Sequence, residues 1–120
     1  MSEEKPLVSG SIILGGEVGS FAGVTVYVRL EDISRADAPA VLMAEHALEG
    51  VSHQAGTEDS LDFALYGLPP AEGADCNVSV HVDVDGDGEV SRGDYITVES
   101  YPVITRGAPD RVRVRLEKVG

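Results

Sequence analysis

The segment with the most specific chemistry is VDVDGDGEVSRGDY, residues 82 to 95, which concentrates four aspartates and three glycines. Ca²⁺ takes six to eight oxygen ligands at about 2.3 to 2.6 Å, commonly from positions 1, 3, 5, 7, 9 and 12 of a loop. Counted from Asp83, every one of these positions carries a suitable residue: Asp83, Asp85, Asp87, Glu89, Ser91 and Asp94. The spacing therefore predicts a calcium site with Ca²⁺ as the cofactor.

The second half of this loop and the sequence on either side of it define what kind of calcium site is expected. Gly88 at position 6 permits the sharp turn around the ion, Glu89 would contribute its backbone carbonyl, and Ser91 could ligate through a water. Position 12 is Asp94 instead of Glu, so the closing side chain is one methylene shorter and a weaker or more magnesium-tolerant site is expected. Strand-like sequence on both sides excludes a helix-pair sensor and predicts a fixed clasp on a hairpin.

The alternative interpretation of the loop is an ion-free acidic turn. Asp-Gly between alternating strands is a strong hairpin signal without any metal. A turn needs only one Asp-Gly pair, however, whereas four carboxylates in one loop repel one another unless a cation neutralises them. Calcium binding is the favoured interpretation, and the ion-free turn stays open beside it.

Other residues with catalytic potential are scattered along the chain. His46, His53 and His81 lack the spacing of a zinc motif, and His81 is expected on the polar, solvent-exposed face of its strand. Cys76 is the only cysteine, which excludes an internal disulfide and a cysteine-based zinc site. Its neighbour Asp75 would raise the thiol pKa, so an inert, partly buried thiol is expected. The sequence thus predicts a protein that is not an enzyme, with catalysis as a remote alternative.

The elements that position the loop are predicted to be strands, because apolar residues recur at every second position. The clearest runs are VTVYVRL (24–30), NVSVHVDV (77–84) and RVRVRLEKV (111–119). Further candidate strands lie at residues 7–14, 40–49, 60–68 and 95–107. The segment around Met43 is ambiguous, since its composition favours helix and its neighbours favour strand. Pro102 suggests an edge strand or a bulge.

Short turns rich in Gly, Pro and Asp separate these runs, among them GGEVGSFAG, LPPAEGAD and RGAPD. This pattern predicts an all-β, single-domain antiparallel β-sandwich of immunoglobulin-like or transthyretin-like type with about seven to eight strands. Residues 1–6 are expected to be a flexible N-terminus and residues 7–120 one domain.

Charge and hydropathy narrow the possible partners. The chain of 120 residues has 21 acidic and 9 basic residues and a formal charge of -12, which repels nucleic acid and anionic lipid. Arg111, Arg113 and Arg115 are expected to point outward, where they blunt a sheet edge or pair with acids. No segment approaches the ~20 apolar residues that span a bilayer. The chain as written is expected to be soluble, periplasmic or extracellular if a leader has been removed and otherwise cytoplasmic.

Three stretches together resemble a known family: VSGSIILGG, VTVYVRLEDISRADAPAVLMAEHAL and YPVITRGAPDRVRVRLEKV. They are similar to the small bacterial lipoproteins named for type III secretion lipoprotein chaperones, of the YscW and YbaY type, over roughly residues 7–119. The resemblance implies a β-sandwich that faces the periplasm from a lipidated N-terminal cysteine, and a chaperone role in part of the family. The only cysteine of this chain, Cys76, lies far from its N-terminus.

These observations lead to one functional hypothesis and its alternatives. We expect a noncatalytic β-sandwich that binds another protein, in a chaperone-like way, and carries a calcium-stabilised hairpin loop. The alternative is a structural domain with an ion-free acidic turn, and an enzyme is the remote alternative.

Overall fold

The computed structural model describes residues 5–35, 37–105 and 108–120, and within these ranges the chain forms nine β-strands. The strands are β1 Val8–Leu14, β2 Phe21–Asp32, β3 Val41–His53, β4 Asp59–Leu65, β5 Cys76–Asp83, β6 Tyr95–Ile96, β7 Pro102–Val103, β8 Arg111–Arg115 and β9 Glu117–Lys118. Of the predicted flexible terminus, residues 1–4 lie outside the described part of the chain. None of the described residues belongs to a helix with the length and apolarity needed to cross a bilayer.

The strands form two sheets, with the order β4-β1-β8 in one and β3-β2-β5-β6-β9 in the other, where β7 also pairs with β5. The predicted all-β sandwich is confirmed. The strand number exceeds the expected seven to eight because β6, β7 and β9 are only two residues long. One pair departs from the antiparallel expectation, since β8 runs parallel to β1 from Ser9↔Arg111 to Ile13↔Arg115.

The core lies between the two sheets, and the predicted alternation of side chains builds it. The burial pattern of β1 is strictly alternating, and β2 and β5 follow the same rule along most of their length. The side chains withdrawn from solvent include Val8, Ile12, Leu14, Val26, Val28, Leu30, Leu65, Val78, Val82, Val103 and Val114. Each such aliphatic side chain contributes roughly 1.5 to 3 kcal/mol by leaving water, so the core favours this sandwich over any open arrangement.

The segment around Met43, whose composition favours a helix, is part of strand β3. It pairs along almost its whole length with β2, from Asp32↔Val41 to Phe21↔His53, with bulges that shift the register. Pairing with a buried strand outweighs intrinsic helix propensity, which is a weak preference beside tertiary contacts. The strand is the edge of its sheet, so much of it remains exposed.

The two ends of the sandwich differ in their edge strands. On one side β3 and β4, which are consecutive in the chain, form the edges of the two sheets and contact each other. On the other side β8 ends the smaller sheet, and the short strands β6, β7 and β9 end the larger. Pro102 lies in β7, which pairs with β5 through Asn77↔Pro102, consistent with the short edge strand expected there.

Candidate functional site

The acidic loop connects β5 to β6 and folds over the outer face of the larger sheet. In β5 the residues that point away from the core should be exposed, yet the last four residues of the strand are all buried. Asp83 and His81 are the two outward-pointing residues in this group, with relative exposures of 3% each. The loop therefore covers the end of β5 and encloses these two polar side chains.

Asp83 organises the first half of the loop. Its two carboxylate oxygens accept hydrogen bonds from the backbone N–H groups of Gly86, at 3.1 Å, and Gly88, at 2.8 Å. Both glycines have positive φ, 75° and 78°, a backbone conformation that glycine adopts without steric cost. The alternation of Asp and Gly thus bends the chain around one buried carboxylate.

Asp85 and Asp87 are the exposed aspartates of the loop. Asp85 accepts a hydrogen bond from Ser91 Oγ at 2.5 Å, and this bond is the largest cause of its lowered pKa. Asp87 accepts from the Glu89 backbone N–H at 2.9 Å, which lowers its pKa, but partial desolvation and the neighbouring Asp85 and Asp83 outweigh that bond and raise it. Mutual repulsion among the carboxylates is therefore present in the folded loop.

Asp94 closes the loop from beneath and is fully buried. Its Oδ2 lies 2.7 Å from His81 Nε2, and its Oδ1 accepts from the Val84 backbone N–H at 2.9 Å. Ser91 donates to Oδ2 through its backbone N–H at 3.2 Å. Burial alone raises the pKa of Asp94, but the hydrogen bonds from His81, Val84 and Ser91 outweigh burial and hold the pKa below its ordinary value. Asp94 is thus an ionised group in the interior.

The expectation that His81 lies in solvent is wrong. Its ring is buried between Asp94 and Tyr27, whose ring stacks on it with centroids 5.9 Å apart. The guanidinium of Arg29 lies 5.2 Å from the centroid of Tyr27. Strand alternation correctly placed His81 on the outer face, but it could not foresee that the loop and Tyr27 cover that part of the face.

The six predicted ligands come together in the structure to different degrees. One carboxylate oxygen from each of Asp83, Asp85, Asp87 and Asp94 lies within 4.8 Å of the other three. Ligand oxygens at about 2.4 Å from Ca²⁺ are at most about 4.8 Å apart, so the four oxygens meet this upper limit for ligands of one cation. Ser91 Oγ contacts Asp85 and Asp94, and the Glu89 side chain is exposed at the rim. His81, Asp83 and Asp94 form a second group of potential ligands with the same spacing.

The remaining candidate residues lie elsewhere. His53 is buried, with Nδ1 3.2 Å from Asp59 Oδ2 and with no partner at Nε2 in the described structure. Cys76 is buried next to Met43, and its pKa is raised first by burial and then by the charge of Asp32. The expected inert thiol agrees with this environment, although it is more deeply buried than expected.

A surface not foreseen from the sequence is an apolar groove along the adjoining edges of β3 and β4. One cavity of about 400 Å³ is lined by His46, Asp62, Phe63, Ala64 and Tyr66. A second, of about 520 Å³, continues from Tyr66 along Gly67 and Leu68 to Lys5. We call these two cavities together the edge groove. Its signal in the sequence was the apolar run at residues 63–68, which forms part of the candidate strand at 60–68.

Comparison with known proteins adds three findings. Residues 3–116 match the model of a family described as type III secretion system lipoprotein chaperone (YscW). A solved structure described as an alternative pilotin from the type II secretion system of Vibrio cholerae is 28% identical in sequence. The similarity covers 94% of this chain and 96% of that one, with a TM-score of 0.65. Curated protein sequences give no match.

Proposed function

Because the chain belongs to the type III secretion system lipoprotein chaperone (YscW) family, we propose that it binds a protein component of a bacterial secretion system on the periplasmic side of the envelope. The match covers nearly the whole chain, and a pilotin of a second kind of secretion system has a similar fold at 28% identity. Both relatives are described as chaperone or pilotin proteins, so a noncatalytic binding module is the function proposed here.

The observation that carries this proposal is the apolar surface at the edge groove. Leu68 and Tyr66, which line the groove, are 85% and 51% exposed. Soluble domains seldom leave several large apolar side chains exposed beside one cleft unless the cleft binds something. The segment after β4 also approaches β3, because a Cβ on Gly67 would lie 3.7 Å from Ala44 Cβ. The exposed side chains of Tyr66 and Leu68, just after β4, therefore lie in a segment that approaches β3.

The chemistry of the groove indicates the partner segment. Its lining is mostly apolar and includes Phe63, whereas the chain as a whole carries a formal charge of -12. An apolar segment flanked by Lys or Arg would bury its side chains in the groove and be attracted by the surrounding charge. We propose such a segment of a secretion-system protein as the occupant.

Site-specific photo-crosslinking in the bacterium that encodes the protein tests this proposal. Benzoylphenylalanine is placed at Leu68, and the matched control carries it at Val98, which is 56% exposed at the opposite side of the larger sheet. We expect the Leu68 probe to capture a secretion-system protein and the Val98 probe to leave that protein uncaptured. Equal capture at both positions, or capture at Val98 alone, would contradict the assignment of the groove.

We also propose that the acidic loop binds Ca²⁺ through the six positions read from the sequence: Asp83, Asp85, Asp87, Glu89, Ser91 and Asp94. Support comes from the mutual spacing of the four aspartate oxygens. The ion would hold the β5–β6 connection closed as a rigid clasp. The ion-free alternative has its own support, because Asp83 and Asp94 already accept hydrogen bonds from the protein.

Calorimetric titration and thermal melting with calcium separate the two alternatives. A cation present at about a hundred times its dissociation constant stabilises the folded state by about 2.7 kcal/mol. We expect this stabilisation in the unchanged protein and its loss in the variant with Asp85→Asn and Asp87→Asn. In chelator the same variant should be as stable as the parent or more stable, because the substitutions relieve repulsion. No heat and no rise in melting temperature at about 10 mM calcium would leave the ion-free turn as the correct description.

A further inference from the structure

Strand β8 carries a row of three arginines on the outer face of the smaller sheet. Arg111, Arg113 and Arg115 are exposed, while Val112 and Val114 between them turn toward the core. Residues two apart on a strand are separated by about 6.6 to 6.8 Å, so the row presents three guanidinium groups at a regular interval. Three of the nine basic residues of this acidic chain are thus concentrated on five consecutive positions.

No ion pair of the row is found in the described part of the chain, although Glu17, Glu58 and Asp59 line one cavity with Arg113 and Arg115. The ion pairs found among the described residues join Arg29 to Glu45, His53 to Asp59 and His81 to Asp94, and none involves β8. The sequence-based expectation was that the row blunts a sheet edge or pairs with acids; β8 does lie at the edge of its sheet, and pairing with nearby acids stays a prediction. Three like charges held side by side on a strand repel one another, and an external set of carboxylates would relieve that repulsion.

The position of β8 in the sheet also favours a particular shape of partner. The strand is the last in the order β4-β1-β8, and its described residues pair with β1 alone. At one end the edge is occupied, since Arg115 donates its backbone N–H to the Tyr101 hydroxyl at 2.9 Å. Arg111 and Arg113 have no strand beyond them, and an unpaired strand edge is a template for an added extended segment.

We infer that the arginine row of β8 binds an extended acidic polypeptide segment with a carboxylate at every second residue. Such a segment repeats its carboxylates at the same interval of about 6.6 to 6.8 Å as the row repeats its arginines. Each guanidinium can form two parallel hydrogen bonds with a carboxylate, a geometry that lysine cannot reproduce. The surface is on the smaller sheet and is separate from the edge groove, so the inference does not depend on the proposed function.

Fluorescence anisotropy with labelled peptides tests the inference on the full chain. The alternating peptide has Glu at every second position and Thr between, and the block peptide has the same composition with all Glu at one end. We expect the alternating peptide to bind about tenfold more tightly than the block peptide. The variant R111Q/R113Q/R115Q should lose about tenfold in affinity, because three charged contacts are removed. The control R35Q, at an exposed arginine elsewhere, should bind as the parent does.

A folding check and a single variant accompany the binding measurement, and three outcomes would contradict the inference. Circular dichroism melting checks that the triple variant is folded, and the single variant R113Q, expected to lose about two- to threefold, replaces it if it is not. Equal affinity for the two peptides would overturn the inference, because binding would then depend on the total charge of the peptide and not on the spacing of its carboxylates. Binding of phosphatidylglycerol vesicles in place of the alternating peptide, lost in the triple variant, would also overturn it. So would a dimer, seen by sedimentation, that dissociates in the triple variant while the peptide stays unbound.

Discussion

Replacement of Asp94 by alanine is the most direct test of the buried cluster beneath the acidic loop. In the folded protein the Asp94 carboxylate accepts hydrogen bonds from His81 Nε2, the Val84 backbone N–H and the Ser91 backbone N–H. All of these contacts are buried or partly buried, and Asp94 itself is withdrawn from solvent. Alanine removes the acceptor for all three donors at once.

The expected loss follows from those three donors. A buried donor left without an acceptor costs about 1 to 3 kcal/mol, and three such donors lose their acceptor here. We expect Asp94→Ala to lower the free energy of unfolding by about 3 to 5 kcal/mol. For a domain of this size the melting temperature should fall by about 10 to 20 °C. The variant Asp94→Asn keeps one acceptor oxygen and should lose a smaller amount.

Urea denaturation in the presence of a chelator measures this loss without any contribution from a cation. Glu49→Ala, at an exposed position on β3 without a hydrogen-bonded partner in the described structure, is the control and should stay within about 0.5 kcal/mol of the parent. A loss below about 1 kcal/mol for Asp94→Ala would refute the reasoning, because the three donors would then be satisfied by other groups or water. A double-mutant cycle that combines Asp94→Ala with His81→Phe should show that the contact between His81 and Asp94 is stabilising.

Three further results are expected. Gly10→Ala should destabilise the fold by at least about 2 kcal/mol, since its Cβ would lie 2.0 Å from the Val112 carbonyl oxygen, whereas Gly16→Ala, with its nearest contact at 3.8 Å, should cost far less in the same urea titration. Cys76 should react with a thiol reagent at mildly alkaline pH many times more slowly in the folded protein than in urea, because burial shields the thiol and raises its pKa. The pKa of Asp94 is lower in the folded protein than in the unfolded chain, so its ionised form stabilises the fold above pH about 4, and this stabilisation is lost as the pH falls through the pKa of the folded state. In chelator, the free energy of unfolding should therefore fall more steeply in acid for the parent protein than for the Asp94→Asn variant.

The strands could be predicted from the sequence because their physical signal is local. A period of two in residues 24–30 and 77–84 reflects one face in the core and one outside it, and the structure confirms both strands. The ambiguous segment around Met43 could not be decided locally, since its strand state depends on pairing with β2. The parallel pairing of β1 with β8 has no local signal in the sequence, because it joins two strands that are far apart along the chain and depends on how all the strands are arranged.

The sequence predicted which residues form the acidic loop, but it did not predict how the loop packs against the sheet. The register from Asp83 to Asp94 predicted which side chains converge, and the spacing of their oxygens agrees with it. The burial of His81 could not be read, since it arises when the loop folds back over β5 and Tyr27 stacks against the ring. The edge groove was not predicted for a related reason. In the sequence, an exposed apolar residue such as Leu68 cannot be distinguished from a core residue until the arrangement of the sheets is known.

The pairing of β1 with β8 has a consequence for how the chain reaches its native state. The first strand of the smaller sheet lies between β4 and a strand synthesised near the end of the chain. Contacts between such distant segments close a long loop and slow folding, so the smaller sheet cannot be completed until β8 has been synthesised. A chain shortened before Arg111 would leave β1 as an open edge above exposed apolar residues, a form prone to aggregation and proteolysis. Completion of this one parallel ladder therefore depends on a strand that is separated from β1 by most of the chain.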